Sequence, residues 1–282
     1  MRSFLSDEAI ARLIEEDVPY LDLTTFALGI AKQPGSLAFY ARHPMVVCAT
    51  EEAVKVIEKC GADVQVSVAS GVSLEAQALI LKATGDAEAL HIAWRIALNL
   101  LEYASGIATR TAAFVRTAKA CHPTVSVVTT RKAFPGTRSL MMKAIIAGGA
   151  LPHRLGLSES ILIFKQHLVY LGGMAGLLER LPGLKQTFQE KKIAVEVETL
   201  DDAWAVAATG VDLIQLDKVP LETLKTFVPT FKQRYPAIKL AAAGGITFDN
   251  VQAYAETKID LLVTSALYFG KPGDIAAKMT LL

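Results

Sequence analysis

From Tyr103 to Ser158 the chain has no aspartate and no glutamate, although eight Lys/Arg and two His fall in that stretch. The formal net charge of all 282 residues is only +1, so the remainder is net acidic. The missing acids exclude local neutralisation, and uncompensated cations focus field and draw anions. They are densest in TTRKAFPGTRSLMMKAIIAGGALPHR, Thr129 to Arg154, which sets Arg131, Lys132, Arg138, Lys143, His153 and Arg154 among small residues. Arg and Lys in such a setting suit carboxylate and phosphate ligands.

Other scarcities narrow the class. Three cysteines, Cys48, Cys60 and Cys121, occur without CxxC spacing; they read as buried thiols in a reducing cytoplasm and indicate neither a disulfide framework nor a zinc site. No uncharged apolar run reaches the roughly 18 residues of a membrane span. The opening MRSFLSDEAIARLIEED turns acidic too early for a signal peptide. A net charge near zero with few clustered aromatics argues against a nucleic-acid partner. What is there, 52% hydrophobic and 20% charged residues, describes a globular chain long enough for a full core.

Ser6 is placed to cap a first helix, with Asp7 and Glu8 at its positive end. The runs GSLAFYAR and MVVCAT, a helix from about Glu51 to Cys60, and DVQVSVAS predict a compact α/β layer up to about residue 85. From Glu88 to Lys119 the pattern is helical, with Ile92, Ile96, Leu100 and Ala104 on one face and Gly106 expected to break or bend it. The apolar runs VSVVTT, ILIF, IAVEVE, LIQL, KLAAAG and LLVTSA then alternate with helical patterns. That rhythm predicts a parallel sheet curling toward a barrel.

Nearly every one of these strands ends in polar or glycine residues: Arg131 and Lys132, Lys165 and His167, Glu196 and Glu198, Asp217 and Lys218, Gly244 and Gly245, Thr264 and Ser265. The C-terminal ends of barrel strands converge on one mouth, where active sites lie. Arg131, Lys132, His153 and Arg154 suit two or more carboxylates or a pyrophosphate; Glu196 and Asp217 suit ribose hydroxyls or a hard divalent metal. AAGGI and VTSA suit a phosphate held by main-chain N–H groups. Together they fit phosphoribosyl pyrophosphate and an acidic co-substrate. Plainer readings stand beside these. Arg131 and Lys132 suit solvated rim charges, and Glu196 and Glu198, sharing a strand face, suit buried ion pairs with them. Paired glycines often mark only a tight turn. Lys143 and Arg110 read as helix-surface charges, Trp94 as packing at a helix or subunit contact, and Lys165 and Lys218 as either substrate-facing or inert.

In order and spacing, TTRKAFPGTR, HRLGL, VEVE, LD and AGGIT resemble the quinolinate phosphoribosyltransferase family, whose usual motifs are TRKTxPGxR, NHR, VEVE, LDN and SGG. Upstream, RIALNLLEYASGIATRT resembles ERxxLNxLxxxSGIAT, and EEDVPYLDLTT resembles EDxGxGDxTT, so the likeness runs from about Glu15 to Gly270. It implies an N-terminal α/β open-sheet layer (residues 1–105, to which 271–282 return) and an incomplete parallel α/β barrel of the type II phosphoribosyltransferase kind (106–270). It implies Mg²⁺-assisted transfer of phosphoribosyl from phosphoribosyl pyrophosphate to a pyridine dicarboxylate, with loss of pyrophosphate and carbon dioxide. Lys132, Glu196 and Asp217 would serve the reacting centre, Glu196 and Asp217 holding ribose or magnesium. Arg95, Arg131, Arg138, His153, Arg154 and His167 would bind substrate, and Gly244, Gly245, Thr264 and Ser265 the 5′-phosphate. Arg95 would reach the partner's site in a cytoplasmic homodimer.

The departures cluster around the base. The family's LIKDNH lysine falls on Phe164, its aspartate on Lys165 and its asparagine on Gln166, leaving His167. NHR is Pro152-His153-Arg154, the glutamate before Arg95 is Trp94, LDN ends in Lys218, the SGG serine is Ala243, and a later glycine is Ser265. Phe164 in place of an ammonium would cost a base carboxylate one charged hydrogen bond, about 1.5–3 kcal/mol. The edit resembles the family's ModD branch, associated with molybdenum transport. The expected function is therefore phosphoribosyl transfer to a quinolinate-like acidic aromatic base; the alternative is a non-catalytic oxyanion (molybdate) binding protein on the same scaffold.

Overall fold

Ser6 opens the first helix as the sequence predicts: its Oγ accepts from the Ala9 N–H at 3.2 Å, with Asp7 and Glu8 in the first turn. A computed structural model describes all 282 residues. In chain order the elements are α1 (Asp7–Asp17), α2 (Leu23–Ala27), β1 (Pro34–Ala41), β2 (Met45–Val46), α3 (Thr50–Lys59), β3 (Asp63–Ser67), β4 (Ser73–Leu74) and β5 (Leu79–Asp86). Then follow α4 (Ala87–Cys121), β6 (Ser126–Thr129), α5 (Arg138–Ala147), β7 (Leu151–Pro152), β8 (Ile161–Ile163), α6 (Lys165–Leu168) and α7 (Met174–Thr187). The chain closes with β9 (Ile193–Val197), α8 (Leu200–Ala208), β10 (Leu213–Asp217), α9 (Leu221–Arg234), β11 (Lys239–Ala243), α10 (Val251–Glu256), β12 (Leu261–Thr264) and β13 (Ile275–Leu281).

These elements form two compact units. The first holds Met1–Ala113, Ala133–Gly149 and Leu267–Leu282. Its sheet runs β13-β1-β5-β3, antiparallel throughout, with β2 and β4 as a separate small ladder. The chain's last strand returns here, from Gly35 opposite Leu281 to Ala41 opposite Ile275. Helix α4 is continuous through Gly106, contrary to the expected break. A Cβ at Gly106 would stand 2.8 Å from both Gly273 N and Lys271 O, so the glycine serves close approach of the returning chain. Lys143 and Arg110 are also not surface charges. Lys143 is wholly buried, its Nζ 2.7 Å from Glu51 Oε2 and 2.5 Å from Glu52 Oε2. Half-buried Arg110 donates to the carbonyls of Leu267 and Lys271.

The second unit holds Phe114–Lys132 and Ala150–Ala266. Its seven parallel strands run β7-β6-β12-β11-β10-β9-β8. Residues such as Val195, Ile214, Leu240 and Leu262 are fully buried, as expected of strands covered on both faces. β7 and β8 are unpaired on their outer sides, so the barrel is incomplete. The sequence suggested six of these strands; β7 escaped because it has two residues, one of them proline, which a sheet tolerates at an edge. At the N-terminal ends of the strands, Asp212 accepts from the Ile193 N–H and Asp260 from the Leu240 N–H, each at 2.8 Å. These carboxylates pin neighbouring strands at the end away from the mouth. All three cysteines are free, and only Cys48 is fully buried.

Candidate active site

The C-terminal ends of the second unit's strands enclose a cavity of about 600 Å³. Following the sheet, His153 and Arg154 follow β7, Arg131 and Lys132 follow β6, and Ser265 follows β12. Gly244 and Gly245 follow β11, Asp217 and Lys218 lie at the end of β10, Glu196 near the end of β9, and Phe164, Lys165 and Gln166 follow β8. In space the glycine turn therefore stands between a basic side and an acidic one, whereas in sequence it comes last.

On the basic side, burial and the neighbouring Arg154 charge hold the His153 imidazole below its usual pKa, so it is neutral at pH 7. Burial and Arg131 likewise lower Arg154. Arg131 Nε is buried without a hydrogen-bond partner. Two guanidiniums crowded together with an unpaired donor call for an anion.

On the acidic side, Glu196 does not pair with Arg131 or Lys132. Its Oε2 accepts from Gln215 Nε2 at 2.5 Å, because Glu196 and Gln215 are opposed across β9 and β10. Burial, and then the charge of Asp217, push the Glu196 carboxyl above its usual range. Glu198, expected to face inward with Glu196, lies past the end of β9 in solvent, 2.7 Å from Lys165 Nζ.

Between these sides, Gly244 and Gly245 both take positive φ, +87° and +76°. A Cβ at Gly244 would meet Lys218 Cγ at 2.5 Å and Asp217 Oδ1 at 2.8 Å; at Gly245 it would meet nothing within 4 Å. The first glycine is required by close packing, and the second leaves main chain open to the cavity. Thr264 lines the cavity, but its Oγ1 donates to Ile246 O at 2.8 Å and accepts from the Ala266 N–H at 3.0 Å, tying β12 to the glycine turn.

Three predicted substrate-binding residues are not among the cavity's lining. His167 is exposed, and its Nδ1 accepts from the Phe164 N–H at 3.2 Å, which fixes the turn into α6. Arg138, at the start of α5, is exposed in the first unit. Arg95 is exposed on α4, its guanidinium 4.7 Å from the Trp94 ring centroid. Gln215 was missed; the available signal was one amide in an apolar run, two residues before Asp217 and thus on the same strand face.

Residues 22–105 match the N-terminal domain of quinolinate phosphoribosyl transferase, and residues 107–276 its C-terminal domain. "Putative pyrophosphorylase ModD" of Rhodobacter capsulatus is 41% identical over 87% of this chain and 94% of its own. "Nicotinate-nucleotide pyrophosphorylase [carboxylating]" of Mycobacterium leprae is 31% identical over 92% of each chain. The crystal structure of NadC from Streptococcus pyogenes superposes with a TM-score of 0.88 at 26% identity, over 98% of this chain and 96% of that one. Both domains, in order and across nearly the whole length, place the chain in the quinolinate phosphoribosyl transferase family.

Proposed function

We propose that the chain is a phosphoribosyltransferase that joins an acidic aromatic base to the phosphoribosyl group of phosphoribosyl pyrophosphate in the cytoplasm. The observation that carries this reading is the order around the cavity: cations on β7 and β6, the open glycine turn after β11, carboxylates on β10 and β9. A sugar phosphate flanked by an acidic base fits that order. The turn of Gly244 and Gly245, with Ser265, holds the 5′-phosphate, and Glu196 and Asp217 hold ribose hydroxyls. Arg131, His153 and Arg154 hold the base's carboxylates, with Lys132 beside the reacting centre. The ring nitrogen bonds to the anomeric carbon as the carbon–oxygen bond to pyrophosphate breaks, the electron pair leaving with pyrophosphate. Positioning and charge stabilisation supply the catalysis.

Magnesium fits the residues present. Glu196 and Asp217 are two oxygen donors close enough that the charge of one raises the pKa of the other, and a hard divalent cation relieves that repulsion. No cluster of three or more His, Cys, Asp or Glu surrounds them, so the substrate's own oxygens would complete the shell, as is usual for Mg²⁺. Held by Glu196 and Asp217, the ion would supply charge neutralisation for the departing pyrophosphate.

In a homodimer, Arg95 would complete the partner's base pocket. Quinolinate is the first candidate base, with Phe164 disfavouring one of its carboxylates. The test is a screen of acidic heterocycles for pyrophosphate release with phosphoribosyl pyrophosphate and Mg²⁺. Release with at least one mono- or dicarboxylate is expected; silence across the panel contradicts the reading. Crowded Arg131 and Arg154 favour a second reading, oxyanion capture in a molybdenum context, which leaves Glu196 and Asp217 without a task.

A further inference from the structure

Lys218 is one of four non-glycine residues with positive φ, at +56°. A lysine adopts this region only against backbone strain. It is held there by packing and by its main chain, whose N–H donates to Ala243 O at 2.8 Å. The side chain passes against Gly244, where any Cβ would stand 2.5 Å from Lys218 Cγ. Lys218 and the open main chain of Gly245 both line the cavity. The strained backbone, the glycine that makes room and the place on the cavity lining set the stem of this exposed lysine against the glycine turn, within reach of an anion held there. Glu198 takes its ion pair from Lys165 at 2.7 Å and feels the charge of Lys218 only as a smaller influence.

We infer that Lys218 is a substrate-binding residue that recognises the phosphomonoester held at the Gly244–Gly245 turn, adding a charged contact to neutral main-chain donors. The inference rests on the phosphoribosyl reading and deepens it: the glycine turn takes a dianionic phosphomonoester, and a neutral sugar end is rejected. The ammonium favours the dianion over the monoanion, so affinity should rise as pH passes the second phosphate pKa, near 6.

The test is calorimetric binding of ribose 5-phosphate, ribose, phosphoribosyl pyrophosphate and inorganic pyrophosphate to the full chain and to two variants, Lys218→Asn and Lys218→Arg. Asn accepts positive φ, so the first variant should fold; thermal melting checks that it does. The expected result is a loss of about tenfold or more in ribose 5-phosphate affinity for Lys218→Asn. Pyrophosphate affinity should be unchanged, Lys218→Arg close to wild type, and the pH dependence flattened in the Asn variant only. Equal ribose 5-phosphate affinity for wild type and Lys218→Asn overturns the role of Lys218 and leaves the transferase reading standing. A wild-type chain that binds neither ribose 5-phosphate nor phosphoribosyl pyrophosphate overturns both.

Discussion

Gln215 Nε2 lies 2.5 Å from Glu196 Oε2, on residues opposed across β9 and β10. This amide holds the carboxylate toward the cavity although burial and Asp217 both oppose its ionisation. A carboxyl whose folded pKa is raised binds more protons folded than unfolded, so its ionisation costs stability as pH rises through that window. Glu196→Gln removes the cost and keeps an acceptor for Gln215. Melting at pH 7.5 should be higher for the variant than for wild type, with the gap closing on acidification, while turnover is lost. A lower melting temperature at pH 7.5 would show that the charge is compensated.

The buried cation of the first unit gives a second prediction. Lys143 and Glu52 are both fully buried, and Glu52 Oε1 also accepts from the Phe4 N–H at 2.7 Å. Lys143→Met leaves Glu52 buried without its cation and should cost about 3–5 kcal/mol in urea unfolding. A loss below about 1 kcal/mol would mean that water or a shifted proton replaces the pair.

The same cluster predicts acid behaviour. Burial alone would raise Glu51, but hydrogen bonds from Lys143 and Ser70 lower it from 4.5 to about 2. The resulting stability is present above pH about 4.5 and is lost as pH falls toward 2, up to about 3 kcal/mol. Urea midpoints across that range should decline in wild type and decline less in Lys143→Met. Parallel curves would remove Glu51 from the account.

The two glycines of the turn should respond differently. Gly245→Ala meets open space and bears only the strain of positive φ, about 1–2 kcal/mol. Gly244→Ala adds contact with Lys218 Cγ and Asp217 Oδ1, and overpacking costs about 1–3 kcal/mol more. Urea unfolding of both variants separates these effects, and equal losses would show that Lys218 and Asp217 simply move aside.

Asp217→Asn keeps the size of the side chain and removes its charge beside Glu196. Turnover should fall at least about 100-fold, with binding of a simple carboxylate to the basic side retained. Undiminished turnover would assign Asp217 no part in the chemistry.

The parallel sheet was legible because its strands are short apolar runs ending in polar groups, and barrel geometry brings such ends together. The basic side of Arg131, Lys132, His153 and Arg154 was legible because no acid lies near these residues in sequence. Pairing across strands was not. Glu196 finds Gln215 and Lys143 finds Glu51 and Glu52, choices set by register and by contacts up to 92 residues apart. The place of His167 was not legible, because a strand-end histidine bonded to its own turn has the same sequence signature as one facing the cavity. Gly106 looked like a helix breaker because its reason, the approach of Lys271 to Gly273, lies far along the chain.

The most direct test of the central claim is calorimetric titration of the purified chain with phosphoribosyl pyrophosphate, with and without Mg²⁺. The account predicts specific binding at micromolar concentrations, strengthened by Mg²⁺ in wild type and not in Asp217→Asn. No binding in either condition would contradict it and leave the basic side of the cavity as an oxyanion site.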